Sequence, residues 1–284
     1  MHTTHDLDLG GGRSLFLAEE GAGRPIVLIH GALVTHVDWM GPVFDGMARL
    51  GRVLALDRPG HGRSRRPRFA ASPAEQASQI HDGLERLRVR RPVLVGHSFG
   101  GLVALAYAAA FPDEVGGLVL AAPVTRPEFR PLEHVVLAPR SMPLIGPVLA
   151  EVSRWSLDPV MLRLVQRAMF APQRPPDDWL ARYPYDQVLR PSQMVEEGED
   201  AAAIAPGAPT GMVDISAVRA PTVIVAGDKD QVVDPGRHAK PLHMTLPGSE
   251  LQILPGVGHM LHHVAAPTLL AATAARLASA GGEA

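Results

Sequence analysis

The sequence predicts an α/β fold with a mostly parallel, doubly wound sheet and an inserted helical cap. Residues 1–122 and 213–284 alternate short β-branched runs with helical patterns, which is typical of successive strand–helix–strand units. The inner runs, such as Ile-Val-Leu-Ile at 26–29, are continuously apolar, as expected for strands covered on both faces. Residues 123–212 break this rhythm with frequent prolines. We therefore expect a core at 1–122 and 213–284 and a cap at 123–212.

The individual elements follow from these patterns. Core strands are expected at residues 14–18, 25–30, 53–57, 92–96, 115–121, 221–226 and 251–254. Core helices are expected at residues 37–49, 73–88, 99–110, 235–246 and 260–278. The clearest helical patterns of the cap cover 158–170 and 191–203. Because a compact domain rarely contains a structureless loop of this length, we expect packed helices there and not a mobile linker.

The composition excludes several classes of protein. The chain has 284 residues, of which 46% are hydrophobic and 20% charged, and its formal net charge is −2. Because the two signs are interspersed, neither nucleic-acid binding nor membrane contact is expected. The absence of cysteine excludes disulfides, cysteine-ligated metals and a thiol nucleophile. The one short basic run, at residues 65–68, is interpreted as a solvated loop.

The location and the partners follow from what the sequence lacks. The first residues contain no basic segment followed by an apolar run, and no apolar window reaches about 18 residues. We therefore expect a cytoplasmic protein that acts on a small molecule, and the sequence leaves a homodimer open. No cofactor is expected, since no nucleotide-binding motif is present, and no metal, since the histidines are scattered.

The most informative motif is the G-x-S-x-G sequence at residues 96–100, between an apolar strand and an alanine-rich helix. In that context the motif marks a sharp strand-to-helix turn that carries a nucleophilic serine. Glycines 96 and 100 leave room where side chains would clash. The N-terminus of the following helix can stabilise a developing oxyanion. Ser98 is therefore the candidate nucleophile.

A serine nucleophile needs a general base, and the base needs an acid that orients it. His259 follows the last expected strand and lies in a glycine-rich loop. Asp228 and Asp230 follow the preceding strand, so the order along the chain is Ser, Asp, His, as expected for an elbow serine. Asp228 directly follows the strand-end glycine, a position that suits capping of the turn.

These ordered motifs resemble those of the α/β-hydrolase fold family, in its serine-nucleophile esterase and haloperoxidase branch, over almost the whole chain. His30-Gly31 resembles the family's H-G oxyanion loop, and residues 57–64 resemble its D-x-x-G-x-G-x-S turn. Gly258-His259 resembles the segment that carries the base, and the family's G-x-x-D pattern selects Asp230 as the acid. The acidic residue that the family often has shortly after this histidine is absent, since Val264 or Ala265 stands there.

The resemblance implies a role for each of these residues. Ser98 would attack a carbonyl carbon, and His259 would take the serine proton and return it to the leaving group. Asp230 would hold the imidazole. The oxyanion would lie between the backbone N–H groups of Ala32 and Phe99.

Structural roles are expected for the other polar residues near these motifs. We interpret His97 as a structural residue under the elbow, and His30 as a hydrogen-bonding partner of the loop that holds Ala32. Surface or packing roles are expected for His262 and His263. Asp57 is interpreted as a buried structural carboxylate.

The substrate pocket is expected between the elbow and the cap. Its candidate lining residues are Leu33, Trp39, Val124, Trp155, Met169 and Val232. This apolar set with a flexible methionine suits a small to medium hydrophobic acyl group.

The expected activity is that of a serine hydrolase acting on a carboxylic ester or lactone (EC 3.1.1), through an acyl-enzyme on Ser98. The serine disfavours the alkyl-enzyme chemistry of relatives that use an aspartate nucleophile. The sequence leaves open other chemistry on the same triad, such as perhydrolase, cofactor-free haloperoxidase or C–C hydrolase activity, and a ligand receptor without turnover.

Overall fold

The computed structural model describes residues 2–208 and 213–279. Within them it contains an eight-stranded sheet with the order β1-β2-β4-β3-β5-β6-β7-β8. The strands are β1 (Thr3–Gly10), β2 (Arg13–Glu20), β3 (Pro25–Ile29), β4 (Arg52–Leu56), β5 (Val93–His97), β6 (Gly117–Ala121), β7 (Thr222–Gly227) and β8 (Glu250–Leu254). The pairs β1–β2 and β2–β4 are antiparallel, and every other neighbouring pair is parallel. The expected fold class, a mostly parallel sheet with helices, is confirmed.

Helices cover both faces of the sheet, and a further group lies between β6 and β7. The α-helices are α1 (Pro42–Leu50), α2 (Pro73–Arg86), α3 (Phe99–Ala110), α4 (Ile145–Ser153), α5 (Leu157–Phe170), α6 (Asp177–Arg182), α7 (Tyr185–Val188), α8 (Pro191–Ala203), α9 (Ala239–Thr245), α10 (Leu261–Val264) and α11 (Ala266–Ser279). A π-helical turn at Leu132–Leu137 and a 3-10 helix at Ala138–Ser141 precede α4. In the described part of the chain, no helix is both long enough and apolar enough to cross a bilayer.

Alternate residues of the central strands enter two different apolar clusters. On β3, Val27 and Ile29 pack on the face that α2 and α3 cover, whereas Ile26 and Leu28 pack on the face that α1 and α11 cover. This division follows from the period of two residues along a strand. It explains why the inner strands are continuously apolar.

The structure differs from the sequence expectation at three elements. Strand β1 was not expected, because it is an edge strand whose residues are mostly polar and exposed. The helix expected at 37–49 divides into a 3-10 helix, His36–Trp39, and α1, with Gly41 at φ +95° between them. The helix expected at 260–278 divides at Ala265 into α10 and α11, and Pro267 occupies the first turn of the second helix, as is common for proline.

The inserted helices α4 to α8 pack together around a third apolar cluster. Leu33, Val34 and Met260 from the core join this cluster. The cap boundary expected at residue 212 lies outside the described residues.

The basic run at residues 65–68 is solvent-exposed, as expected, except at Arg66. Arg66 is buried, and its guanidinium forms ion pairs with Glu199 at 3.0 Å and Asp200 at 3.1 Å, both from α8. Arg68 also pairs with Glu199. The expectation of a solvated loop was wrong for Arg66, because helix α8 presents carboxylates to its guanidinium, a contact between residues far apart in the sequence.

Candidate active site

Ser98 lies at the sharp turn between β5 and α3. Its backbone has φ +54° and ψ −119°, in the left-handed half of the Ramachandran plot that side-chain-bearing residues rarely adopt. Two glycines permit this turn. A Cβ at Gly96 would lie 2.5 Å from the carbonyl oxygen of Gly100, and one at Gly100 would lie 2.2 Å from that of Ile29. The motif therefore forms a tight elbow because both glycines lack side chains.

His259 and Asp230 are joined by a short contact in the loops that follow β8 and β7. The distance from His259 Nδ1 to Asp230 Oδ2 is 2.8 Å, and both side chains are buried. The other carboxylate oxygen of Asp230 accepts the backbone N–H groups of Val232 and Val233, each at 2.8 Å. These contacts fix the carboxylate toward the imidazole.

The rival carboxylate, Asp228, points elsewhere. It is exposed, and its Oδ1 accepts the backbone N–H of Gly256 at 2.6 Å. The structure therefore brings Asp230, and not Asp228, to His259. Asp228 stabilises the turn, as its position after the strand suggests.

The sheet topology brings these residues to one edge. Ala32, Ser98, Asp230 and His259 follow β3, β5, β7 and β8, which run parallel. Since the carboxyl ends of parallel strands meet at the same edge, this is where ligands bind in open α/β sheets.

A small cavity at this edge contains the nucleophile. Ala32, Ser98, Phe99 and Val124 line it together with Glu197 of the cap, and its volume is about 30 Å³. Ser98 is only 7% exposed. Ligand sites for small molecules usually reach about 300 Å³ or more, so the cap covers the nucleophile closely in this conformation.

His30 holds the loop that follows β3. Its Nδ1 contacts the carbonyl oxygen of Gly31 at 2.8 Å, and its Nε2 accepts the backbone N–H of Arg58 at 2.9 Å. Burial lowers the pKa of His30 well below its usual value, so the ring is neutral and can both donate and accept. The contact with the loop backbone that was expected for His30 is present.

Two cap side chains hold the next residue of this loop, Leu33. Leu33 has φ +57°, a strained conformation for a residue with a branched side chain. Its N–H donates to Glu197 Oε1 at 2.7 Å, and its carbonyl oxygen accepts the hydroxyl of Tyr183. All three residues are buried. The cap thereby fixes the backbone directly after Ala32.

The cap also contacts the loop that carries His259. Gln173 accepts the N–H of Gly258 at 3.0 Å and donates to the carbonyl oxygen of Gly256 at 2.6 Å. The carbonyl oxygen of Met169 accepts the N–H of Met260 at 3.2 Å. The loop after β3 and the loop that carries His259 therefore both depend on cap residues for part of their hydrogen bonding.

Sequence reasoning did not identify Glu197, Tyr183 or Gln173. The only signal for Glu197 is the run of carboxylates at 196–200, which is unusual on a helix that also buries apolar residues. Tyr183 and Gln173 carry no such signal, because their contacts join residues far apart in the sequence.

A second cavity, of about 420 Å³, lies beside the first. Met169, Val232 and Asp230 line it, and Arg130 and Glu133 line both cavities. Arg130 Nε donates to Glu133 Oε1 at 2.7 Å. This ion pair therefore lies between the larger cavity and Ser98.

The expected pocket residues divide into three groups: those that line a cavity, those that are buried in an apolar cluster, and one that is exposed. Val124 lies in the cavity of Ser98, and Met169 and Val232 lie in the larger one. Trp39 is fully buried in the core under α1, and Leu33 is buried in the apolar cluster of the cap. The expectation for Trp155 was wrong, because the turn between α4 and α5 leaves it 77% exposed.

Behind the His259 loop, a buried carboxylate binds two histidines. Asp38 contacts Nε2 of both His262 and His263 at 2.9 Å and accepts the indole N–H of Trp179 at 2.9 Å. Burial lowers the pKa of His262 to about 4. The donor atoms of Asp38, His262 and His263 lie within 4.8 Å of one another, as a metal site requires. The Nε2 atoms of His262 and His263 are already hydrogen-bonded to Asp38. We therefore interpret both histidines as packing residues.

His97 packs under the elbow. Its Nε2 contacts the backbone oxygen of His259 at 3.2 Å, and burial lowers the pKa of His97 well below its usual value. A neutral ring in this position supports the loop of the base.

Comparison with known proteins identifies the family. A family model described as alpha/beta hydrolase fold matches residues 24–266. The chain belongs to this family. An uncharacterized protein of Mycobacterium tuberculosis is 32% identical to this alpha/beta hydrolase over 256 residues, which cover 86% of this chain and 72% of that protein.

Solved structures of enzymes share the fold of this alpha/beta hydrolase. A bromoperoxidase from Bacillus anthracis has a TM-score of 0.76 and 21% identity, covering 97% of this chain and 100% of its own. A thermophilic esterase from Thermogutta terrifontis has a TM-score of 0.74 and 20% identity, covering 98% of this chain and 99% of its own. At these identities the likeness concerns the fold alone.

Proposed function

We propose that this alpha/beta hydrolase cleaves a carboxylic ester or lactone of a small to medium hydrophobic substrate through an acyl-enzyme on Ser98. The observation that carries the proposal is the 2.8 Å contact between Asp230 and His259 at the sheet edge where the elbow presents Ser98. This arrangement supports a base that is oriented by a buried carboxylate.

The proposed reaction proceeds in two steps. His259 takes the proton of the Ser98 hydroxyl while the serine oxygen attacks the carbonyl carbon, and the carbonyl oxygen becomes an oxyanion. The N–H groups of Ala32 and Phe99 would bind this oxyanion; one such donor contributes about 3 kcal/mol in other enzymes. The protonated imidazole then donates its proton to the leaving alcohol. In the second step, His259 takes a proton from water while the water oxygen attacks the carbonyl carbon of the acyl-enzyme. The imidazole then returns the proton to the Ser98 oxygen as the acid is released.

The larger cavity is proposed as the site of the hydrophobic part of the substrate. It has the volume of a small-molecule site, and Met169, Val232 and Leu132 contribute apolar side chains. The scissile carbonyl would pass the Arg130–Glu133 ion pair to reach Ser98. Because the cavity at Ser98 holds only about 30 Å³, the cap must shift when substrate binds.

The proposal is tested with a panel of p-nitrophenyl esters and lactones of increasing acyl length. We expect hydrolysis by the wild-type protein, loss of turnover in Ser98→Ala, and labelling of Ser98 by a fluorophosphonate probe. Peroxide-dependent halogenation without ester hydrolysis would instead support the haloperoxidase alternative. Saturable binding without turnover or labelling would contradict an enzymatic role.

A further inference from the structure

Two cap helices expose an extended apolar surface. Leu144, Val148, Val152, Trp155, Val160 and Leu164 are each more than half exposed, and Leu144 reaches 87%. We name these six side chains the apolar cap surface. Large exposed apolar patches on soluble proteins usually mark a surface that binds something.

The spacing places these residues on one outward face. On α4, two of them stand at 148 and 152; on α5, two stand at 160 and 164. Residues four positions apart lie on the same side of a helix. Trp155 lies in the turn that joins the two helices and is also exposed.

The inward faces of both helices are firmly packed. Helix α4 buries Gly146 and Ala150, and helix α5 buries Leu162 and Phe170. Arg140 further connects the helices, since its guanidinium binds Ser153 at 3.0 Å and Asp158. The exposed apolar face is thus the outer side of anchored helices, and it is not covered by any described part of the chain.

The exposed charged residues of α4, α5 and the turn between them are mainly positive. Arg154, Arg163 and Arg167 stand on these two helices against one exposed carboxylate, Glu151. Arg154 lies over the Trp155 ring at 4.7 Å. This local excess of positive charge contrasts with the formal net charge of −2 for the whole chain.

We propose that the apolar cap surface docks on an anionic lipid surface, with α4 and α5 lying along the headgroup region. Helices that lie in such an interface combine an apolar face, a tryptophan and flanking arginines, and arginines near anionic headgroups add attraction. A second copy of the chain is a poorer partner. Symmetric pairing would bring this surface against itself, so the excess positive charge of the two copies would repel.

The sequence expectation was that the protein makes no membrane contact. That expectation rested on interspersed charges and on the lack of a long apolar window. Neither observation detects a surface formed by two short helices and the turn between them, because its residues are separated by buried ones.

Docking would bring the cap of the proposed enzyme to a lipid surface that holds its substrate. The cap covers Ser98, and a hydrophobic ester accumulates in lipid. This consequence for catalysis rests on the proposed ester hydrolysis, but the docking itself does not.

Vesicle flotation tests the proposal. We expect the 284-residue protein to float with vesicles of phosphatidylcholine and phosphatidylglycerol, and less with phosphatidylcholine alone. The double variant Val148→Asp/Leu164→Asp should reduce partitioning at least about tenfold, since each aspartate opposes burial of the apolar face. Met244→Asp is the matched control: Met244 is 85% exposed but lies on α9 of the core, so this variant should float like the wild type.

A charge variant and a spectroscopic readout complete the test. Arg163→Glu/Arg167→Glu should abolish the preference for anionic vesicles, and vesicles should shift the Trp155 fluorescence to the blue, a shift lost in Trp155→Phe. Equal flotation of the aspartate variant and the wild type, or no flotation of the wild type, would overturn the proposal. So would a dimer in light scattering that the aspartate variant dissociates without any vesicle binding.

Two further measurements distinguish a loss of docking from a loss of folding or of enzymatic activity. The aspartate variant should keep the wild-type thermal melt and, if the proposed function holds, the wild-type rate on soluble p-nitrophenyl acetate. Flotation without turnover on any ester would leave docking supported and contradict only the proposed function.

Discussion

The carboxylate of Glu197 in the cap accepts the backbone N–H of Leu33 in the core, with 2.7 Å between Oε1 and N. Tyr183, also in the cap, donates its hydroxyl to the carbonyl oxygen of the same residue. Leu33 follows Ala32, the proposed oxyanion donor, and holds a left-handed φ of +57°. The cap is therefore a structural support for the loop of the proposed oxyanion donor as well as a cover over Ser98.

Removing the tyrosine hydroxyl tests this support. We expect Tyr183→Phe to lower kcat about fivefold or more with little change in KM, because one hydrogen bond contributes about 1 kcal/mol and acts here on the oxyanion loop. The matched control is Tyr185→Phe, which removes a hydroxyl contact with Gln166 at 3.2 Å inside the cap. Steady-state kinetics on a p-nitrophenyl ester give the comparison. Equal losses in both variants, or a change in KM alone, would argue against positioning.

Glu197 makes stability depend on pH. Burial raises the pKa of Glu197 to about 7 from 4.5. The folded protein therefore binds the proton of the Glu197 carboxyl group more tightly than the unfolded chain does. The protonated carboxyl contributes its full stabilisation of the fold below about pH 4.5, and this contribution is lost as pH rises through about 7. The side chain of Glu197→Gln can still accept the N–H of Leu33 but does not titrate. As pH rises from 4 to 8, the free energy of unfolding of this variant should therefore increase by up to about 3 kcal/mol relative to that of the wild type, at about 1.4 kcal/mol per pKa unit.

Urea unfolding at several pH values measures this difference. Glu151→Gln, an exposed substitution in the same cap, should follow the wild-type pH dependence. Parallel pH profiles for Glu197→Gln and the wild type would show that the carboxyl group titrates normally.

The two aspartates after β7 provide a direct test of the triad. Asp230→Asn should lower kcat by about 10³- to 10⁴-fold, since it removes the charge that orients and stabilises the protonated base. Asp228→Asn should stay within about twofold, because its side chain binds the Gly256 N–H at 2.6 Å and is exposed. Single-turnover acylation rates distinguish the two. A large loss in Asp228→Asn with an active Asp230→Asn would reverse the assignment.

The elbow glycine predicts a stability effect. A Cβ at Gly100 would lie 2.2 and 2.4 Å from the carbonyl oxygens of Ile29 and His30, both rigid backbone atoms. Gly100→Ala should therefore destabilise the fold by about 3 kcal/mol or prevent folding. Gly236→Ala, whose Cβ would meet only the side chain of Asp234 at 3.1 Å, should change the urea midpoint little. A normal midpoint for Gly100→Ala would mean that the elbow relaxes.

The ion pair between the two cavities predicts a change in specificity. Arg130→Ala should open the passage from the 420 Å³ cavity to Ser98 and raise kcat/KM for longer acyl chains relative to acetate. Arg237→Ala is the control, since Arg237 lines the same cavity but its side chain is 65% exposed. An acyl-length profile unchanged in Arg130→Ala would place the substrate elsewhere.

Local patterns were sufficient for most of the core. Inner strands and helices such as α3 were predicted because continuous apolar runs and the 96–100 motif are local signals. The two divided helices were missed because a glycine at 41 and a proline at 267 act only at their ends. The mostly polar strand β1 was missed because the edge of a sheet needs little apolar surface.

The sequence by itself determined the fold class and the order of Ser98, Asp230 and His259, because parallel strands bring their carboxyl ends to one edge whatever the loops do. It left Asp228 and Asp230 as alternatives, and the family pattern and the position of Asp228 directly after the strand-end glycine both favoured Asp230. The tertiary structure decided which carboxylate meets His259, that Glu197 and Tyr183 hold Leu33, and that Trp155 faces solvent. Each of these depends on contacts that form only in the folded chain: between two core loops for His259, between cap and core for Leu33, and within the cap for Trp155. These contacts join residues up to 164 positions apart, a distance over which no local pattern operates.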